Sequence, residues 1–542
     1  MSRTVTLRPW QKTALDRLAA STSRDFLAVA TPGAGKTTFA LTAARRALGT
    51  QAAHRLVVVV PTAHLKAQWA RAASAFDLHL DPAWSPAEGP LAPDMHGVVT
   101  TYQQVASCAG AMGGRASGAM VIFDELHHAG EDRAWGEGLR TAFDAAPRRL
   151  ALSGTPFRSD TQAIPFVRYA GDEAVPDYEY GYGDALTDGG VVRPVYFPRI
   201  DGMMEWSAPD GSVHTHSFDD PLDAGRAGQR LRTAYAAEGE WLPHVLRQAH
   251  EQLLVIRQRQ PDAGGLVIAT DQDHAKAIAG LLADRLKVRA VVATSDDPDA
   301  SARISRFASG KEQWIVAVRM LAEGVDVPRL RVGVFATTIT TELFFRQAVG
   351  RLVRWTRGSS AQKAFLYIPD DPRLRARAFA VAEQRRHSLR RQDRQTLGPM
   401  PHDEVAKEDL FSLFAPISAT PLSEGDDPDW ILDGDGYAEA PEDPTLTIAL
   451  PPLPTGGRAS PATSATAPDG RTRREHKEHL RRANADKGRL IARHTGVTHA
   501  GVNGELNRVI GVKKVSEATV EQLERRLDKA EQWLRQASAR RA

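Results

Sequence analysis

The chain has 542 residues, 42% hydrophobic and 25% charged, the balance of a globular protein too long for one core. Its lone cysteine, Cys108, excludes a disulfide framework or a cysteine-built zinc site within one chain, and no apolar run is long enough to span a bilayer. Net charge is only +3, yet residues 471–542 carry about nine excess positive charges, so the basic module is the tail.

The first residues, Met1 to Leu7, lack the apolar core of a signal peptide, and a cytoplasmic location is expected. High alanine, arginine and glycine content suggests a bacterial or phage source. From Leu7 to about Tyr182, short apolar runs alternate with helical patterns, which predicts a parallel α/β sheet. Its strand candidates are 26–30, 56–60, 97–100, 119–123 and 149–152.

The first candidate runs into Ala30-Thr31-Pro32-Gly33-Ala34-Gly35-Lys36-Thr37, a phosphate-binding loop with alanine where its first glycine usually stands. A strand, a glycine turn and a helix start present backbone N–H groups to a β-phosphate. Lys36 then reaches the β/γ oxygens and the Thr37 hydroxyl can ligate Mg²⁺. Gly33, Gly35 and Thr38 complete the expected nucleotide contacts. The 119–123 candidate ends at Asp124-Glu125-Leu126-His127, with Asp124 near the metal and Glu125 placed to polarise a water. Both motifs, in this order and each at a strand end, predict nucleotide hydrolysis.

A second series begins near Val191 with candidates 265–269, 288–292, 314–318 and 331–335, so two α/β halves lie in tandem. The glycine-rich stretch 181–190 is the expected hinge, and 201–230 reads as an irregular insertion. From about Pro416 to Gly470, Pro, Ala, Ser, Thr, Gly and Asp dominate, first acidic and then proline-rich, which predicts a flexible linker. A compact basic tail follows. Its last helix carries Thr519 as N-cap, Gln522 at the capping-box position, and Leu523, Leu527, Ala530 and Leu534 on one face. The expected domains are 1–183, 184–400, the linker 401–470, and a small helical domain over 471–542. That last domain would bind nucleic acid or dock a protein partner.

The remaining motifs give the chain a resemblance to superfamily 2 DExH-box helicases and translocases over about residues 7–370. The branch is the one holding XPB-like helicases, RadD-like helicases and the motor subunits of type I and III restriction enzymes. The resemblance implies two RecA-like domains. Leu7-Arg8-Pro9-Trp10-Gln11 is similar to the motif upstream of the phosphate loop, which implies nucleotide binding by Arg8 and adenine recognition by Gln11. Pro61-Thr62 with Gln68 resembles motif Ia and Thr100-Thr101-Tyr102 motif Ib, which implies a nucleic-acid track there. Ser153-Gly154-Thr155-Pro156 resembles motif III, and implies coupling through Ser153 and Thr155. Leu321 to Pro328 resembles motif V, implying nucleotide contacts from Gly324 and Asp326. Gln347 to Arg354 resembles motif VI. The resemblance also gives His127 a hydrogen-bonding role towards motif VI.

Chemistry asks for these residue types independently. Guanidinium groups match the charge that develops on a transferring phosphoryl group, and Arg351 and Arg354 are spaced to share a helix face. Gln347 could position water. His127-His128 lacks partners at metal-ligand spacing. Trp10, Trp69 and Trp355 read as packing residues. The arginines of 373–377 and 385–391 read as a solvated helix face, with a contact to a phosphate backbone as the sharper alternative.

The expected function is an ATP- and Mg²⁺-dependent helicase or translocase on nucleic acid, DNA ahead of RNA, with no membrane partner. The alternative is an ATP-switched clamp or the motor subunit of a restriction, defence or repair complex, without unwinding of its own. An RNA helicase stands third.

Overall fold

The computed structural model describes residues 4–130, 133–154, 163–171, 173–208, 211–294, 297, 299–318, 327–356, 362–391, 415–425, 445–453 and 473–539. Two α/β halves stand in tandem, as expected. In the first, seven parallel strands run in the order Tyr178–Tyr180, Asp25–Ala30, Arg148–Ser153, Ala119–Phe123, Arg55–Val60, Gly97–Thr101 and Leu80–Asp81. The central strands are apolar throughout because helices cover both faces. Trp10 belongs to this core, stacked on Tyr180 at 5.1 Å between ring centroids.

The second sheet orders Val213–Ser217, Arg199–Ser207, Ala364–Pro369, Leu330–Ala336, Gly264–Ala269, Trp314–Ala317 and Ala290–Ala293. The helix Tyr182–Asp188 occupies the expected hinge, and Val195 opens the second half by pairing with Ala364. Three local expectations are corrected. Residues 201–230 are not irregular: they contain the hairpin Arg199–Ser207 with Val213–Ser217 and the helix Ala224–Ala234. The polar face of that hairpin disguised it, since only alternate residues of Arg199–Ser207 are buried. The helix Pro372–Arg391 is no simple solvated face either. Arg373 pairs with Asp371, Arg375 with Asp370 and Asp219, and Arg385 is fully buried, donating to the Val195 carbonyl at 2.6 Å.

The third correction concerns the linker. Two of its segments are strands: Ala415–Gly425 pairs antiparallel with Arg199–Ser207, and Leu446–Ala449 pairs with Thr4–Leu7. Backbone hydrogen bonds to a partner strand supply what the side-chain composition lacks, so composition alone hid them.

The tail is a three-helix bundle of Arg473–Thr495, His499–Ile510 and Val520–Ala539. The capping box is present: Gln522 N–H donates to Thr519 Oγ1 at 3.2 Å and Thr519 N–H to Gln522 Oε1 at 2.9 Å. Its core holds Arg526, whose guanidinium donates to the side-chain oxygens of Asn484, Asn503 and Asn507. The bundle is docked on the first half. Lys477 Nζ lies 2.7 Å from Asp94 Oδ1, the two side chains being 3% and 1% exposed. Arg473 and the Val520 N–H also reach Asp94 Oδ2, and Arg474 reaches Asp81.

Burial alone would raise the Asp94 carboxyl, but Lys477, the Val520 N–H and Arg473 outweigh it and hold it below the usual carboxylate range. Its contribution to docking is therefore complete above about pH 4 and lost as pH falls through its lowered value. Asp94→Ala would leave the Lys477 ammonium buried without its carboxylate, at a cost of roughly 3–5 kcal/mol. Hydrogen exchange in 473–495 and 520–539 should accelerate in this variant while the first sheet stays protected.

Candidate active site

The phosphate loop leaves the strand Asp25–Ala30 and enters the helix Lys36–Gly49 through Gly33 and Gly35, at φ +85° and +92°. A side chain is strained at both angles, and a Cβ on Gly35 would sit 2.6 Å from Gln11 Nε2. The upstream motif braces the loop from outside. Arg8 donates to the Gly33 carbonyl at 2.9 Å, Trp10 to Ala34 at 3.0 Å and Gln11 Nε2 to Gly35 at 2.8 Å. The Gln11 amide is thus engaged with the loop itself.

Lys36 Nζ donates to the Ala30 carbonyl at 3.1 Å and lies 3.2 Å from Glu125 Oε1. Glu125 Oε2 accepts the Gly154 N–H at 2.9 Å. Burial would raise this carboxyl, but Lys36, His127 and the Gly154 N–H together hold it well below the usual range. Its neighbour shifts the other way: burial, then the charge of Glu125, lifts Asp124, although the Trp69 indole donates to Oδ2 at 2.7 Å. Adjacent carboxylates thus carry opposed proton affinities.

The second half completes the cleft. On the helix Glu342–Leu352, Gln347 Nε2 lies 3.3 Å from His127 Nε2, and His127 Nδ1 lies 3.3 Å from the buried Ser153 hydroxyl. A tautomer with its proton on Nδ1 satisfies both contacts. Gly350 packs on Pro32 so closely that a Cβ there would lie 2.5 Å from the proline Cγ. The Cγ of Arg354 is 3.6 Å from where a Gly33 Cβ would be.

Residues 4–158 match the family described as the res subunit of type III restriction enzymes, and residues 246–356 match the helicase conserved C-terminal domain. The chain belongs to the superfamily 2 helicase-like ATPases. Among relatives of this helicase-like ATPase is an uncharacterised protein of Mycobacterium leprae, 38% identical over 97% of this chain and 94% of the relative. Another, from Mycobacterium tuberculosis, is 39% identical over 96% and 92%. Among solved structures, a fragment of a type I restriction enzyme subunit from Vibrio vulnificus has TM-score 0.45 at 17% identity, over 67% of this chain and 64% of that one. A type ISP restriction-modification enzyme bound to DNA has TM-score 0.43 at 15% identity, over 71% and 30%.

The structure brings Arg8, Gln11, Gly33, Gly35, Lys36, Asp124, Glu125, His127, Ser153, Gln347 and Arg354 of this ATPase to one cleft. Thr37 and Thr38 are half-buried in the first turn of the loop's helix. The half-buried Arg351 is on the helix Glu342–Leu352, but Arg354 is not: it lies beyond the helix end, in a bridge with Val192. Thr155, Gly324 and Asp326 lie outside the described residues.

On the track, Pro61 and Thr62 precede the helix Ala63–Ser74 and Gln68 is exposed on it. Thr101 N-caps the helix Tyr102–Ala116 through Gln104, and the Thr100 side chain is buried. The Tyr102 side chain is buried too, its hydroxyl donating to the Asp124 carbonyl at 2.9 Å instead of facing outwards. Sequence reasoning missed this contact and the Trp69 bond to Asp124. Neither had a local signal, because each partner is distant in sequence.

Gly350→Ala should push the two halves apart at Pro32 while leaving the phosphate loop folded. Small-angle scattering should report a larger radius of gyration, and ATP turnover should fall by at least about tenfold with nucleotide binding largely kept.

Proposed function

We propose that the chain hydrolyses ATP in this cleft and uses the cycle to translocate on nucleic acid, DNA ahead of RNA. The observation that carries this reading is Arg354 lying against Gly33 while Gly350 lies against Pro32, so groups from both halves address one phosphate loop. The residues present suit a magnesium nucleotide. Gly33 and Gly35 leave the loop backbone open, Lys36 supplies the cation, and Thr37 and Asp124 offer the hard oxygen donors that Mg²⁺ requires. A bound Mg²⁺ would neutralise charge building on the phosphate oxygens.

Lys36 lies within ion-pair distance of Glu125. Turning to the β/γ oxygens, Lys36 leaves Glu125 with a weaker cationic field and a higher proton affinity, so that Glu125 can take a proton from the attacking water. Arg354, with Arg351 beside it in sequence, would meet the charge that develops in the transition state from across the cleft. His127 ties the Glu125 loop to Gln347 and Ser153 and would register cleft closure.

Grip on the strand would come from the helix starts at Thr62 and Thr101, whose backbone N–H groups suit phosphates and read no sequence. Each of these helices also holds Asp124, through Trp69 and Tyr102 respectively. Displacing either helix on the track would move the Asp124 carboxylate, which is a direct route between strand and nucleotide. Trp69→Phe should keep packing but remove that bond, lowering nucleic-acid stimulation of turnover several-fold more than basal turnover.

The decisive experiment measures ATP turnover with single-stranded DNA, duplex, fork and RNA, alongside triplex displacement and fork unwinding. Glu125→Gln should bind ATP and fail to turn over, while Lys36→Ala should lose both affinity and turnover. Wild-type turnover in Glu125→Gln would overturn the assignment of Glu125. Stimulated turnover without triplex displacement would favour an ATP-switched clamp.

A further inference from the structure

The segment joining the halves contains an arginine that no motif covers. Arg193 lies between the helix Tyr182–Asp188 and the first strand of the second half, and its side chain is fully buried. Its guanidinium donates to the carbonyls of Leu330 at 3.2 Å and Pro328 at 2.9 Å, to the Thr356 hydroxyl at 3.0 Å, and in a short contact to the Arg354 carbonyl. Its backbone N–H donates to Val353 at 2.7 Å, and its own carbonyl accepts the Tyr182 hydroxyl at 3.2 Å.

None of these partners is a carboxylate. Arg331 approaches closely enough to repel, and burial pulls the guanidinium well below its ordinary pKa. A buried cation so placed costs more than an apolar residue of the same size. What it gains is geometry: a planar fork can hold several carbonyls at fixed angles, as no apolar side chain can. Those carbonyls end two segments that matter. Pro328 closes the stretch resembling motif V, and Val353 and Arg354 close the one resembling motif VI. Arg385, donating to Val195, fixes the same connector two residues further on.

We propose that Arg193 is a positioning residue that fixes the Arg354 segment and the exit of the 321–328 segment to the interdomain connector. Arg354 then keeps its place over the phosphate loop as the cleft closes. The catalytic half of this proposal rests on the ATPase reading above; the structural half does not.

The test uses full-length Arg193→Lys and Thr356→Val, the second removing one acceptor of Arg193 together with the hydroxyl's own bond to the Pro328 carbonyl at 3.2 Å, so that its exchange is read over 350–356. Hydrogen exchange over residues 327–331 and 350–356 should accelerate about tenfold in Arg193→Lys, with the first sheet unchanged. kcat for ATP should fall about 10- to 100-fold at a nearly unchanged KM. Arg193→Lys combined with Arg354→Ala should be no worse than Arg354→Ala alone. Unchanged exchange over 350–356 in folded Arg193→Lys would overturn the proposal, as would a rise in KM without loss of kcat. If Arg193→Lys does not fold, Thr356→Val decides by the same exchange measurement. If the wild-type chain proves to have no ATPase activity, the functional reading fails, and exchange alone decides whether Arg193 holds this segment.

Discussion

Two α/β halves in one chain can act on one ligand only if they meet beside it, and here Pro32 of the phosphate loop meets Gly350 of the helix Glu342–Leu352. The contact admits no Cβ on the second-half side. It lies in the phosphate loop itself, so it sets how near anything on the helix Glu342–Leu352 can come to a nucleotide. Gln347 reaches His127 and Arg354 reaches Gly33 only because this contact is close. The chemistry of the first half is complete in its acids and its lysine, and incomplete in cations that can approach from the opposite side.

Within the first half, the division of labour between Asp124 and Glu125 follows from backbone geometry. Glu125 has φ +47°, a left-handed conformation that a glutamate adopts at a cost. That turn carries its carboxylate to Lys36 and the Gly154 N–H, while Asp124, one residue earlier, faces Trp69. An extended backbone would place successive side chains on opposite faces of the strand end and bring no cation to Glu125. The turn at Glu125 thus gives the two carboxylates different surroundings: Lys36, His127 and the Gly154 N–H hold Glu125 low, while burial and the Glu125 charge lift Asp124.

Much of this was legible in the sequence, for a physical reason. The phosphate loop, the Asp124-Glu125-Leu126-His127 run and the Gln347–Arg354 run are local: each sits where an apolar strand or a helix pattern ends, and spacing along the chain fixes their geometry. Most core strands were marked by their apolar runs, but the fully buried Ala364–Pro369 in the middle of the second sheet was not among the candidates. What was not legible is non-local. Trp69 looked like packing until the fold set it against Asp124, 55 residues away. Arg193 reaches Leu330 across 137 residues. Lys477 and Asp94 are 383 residues apart, and neither stands out in a basic tail or an irregular loop. The strands Ala415–Gly425 and Leu446–Ala449 were invisible because their stability comes from the distant strands they pair with.

Those late strands change how the chain after the second half should be viewed. Ala415–Gly425 is hydrogen-bonded to the second half, whereas Leu446–Ala449 and the basic bundle are bonded to the first. The chain therefore passes from one side of the cleft back to the other, and Leu450 ends buried with Pro451 close against Gly49 of the first half. Covalent length alone does not hold the cleft shut, since an extended chain gains about 3.4 Å per residue and the intervening stretch is long. Rigid registration has to come from short connections with dense hydrogen bonding. The Tyr182–Tyr196 connector is such a connection. Tyr182 bonds Arg193 and Val195, Arg385 bonds Val195, and the Arg193 side chain bonds the Leu330 and Arg354 carbonyls. The bundle, by contrast, is anchored through Asp94 and Asp81 at the far edge of the first sheet, beside the Leu80–Asp81 strand that it covers. Its excess positive charge is thereby fixed to the half that carries the Thr62 and Thr101 helix starts, and travels with them whenever the second half moves.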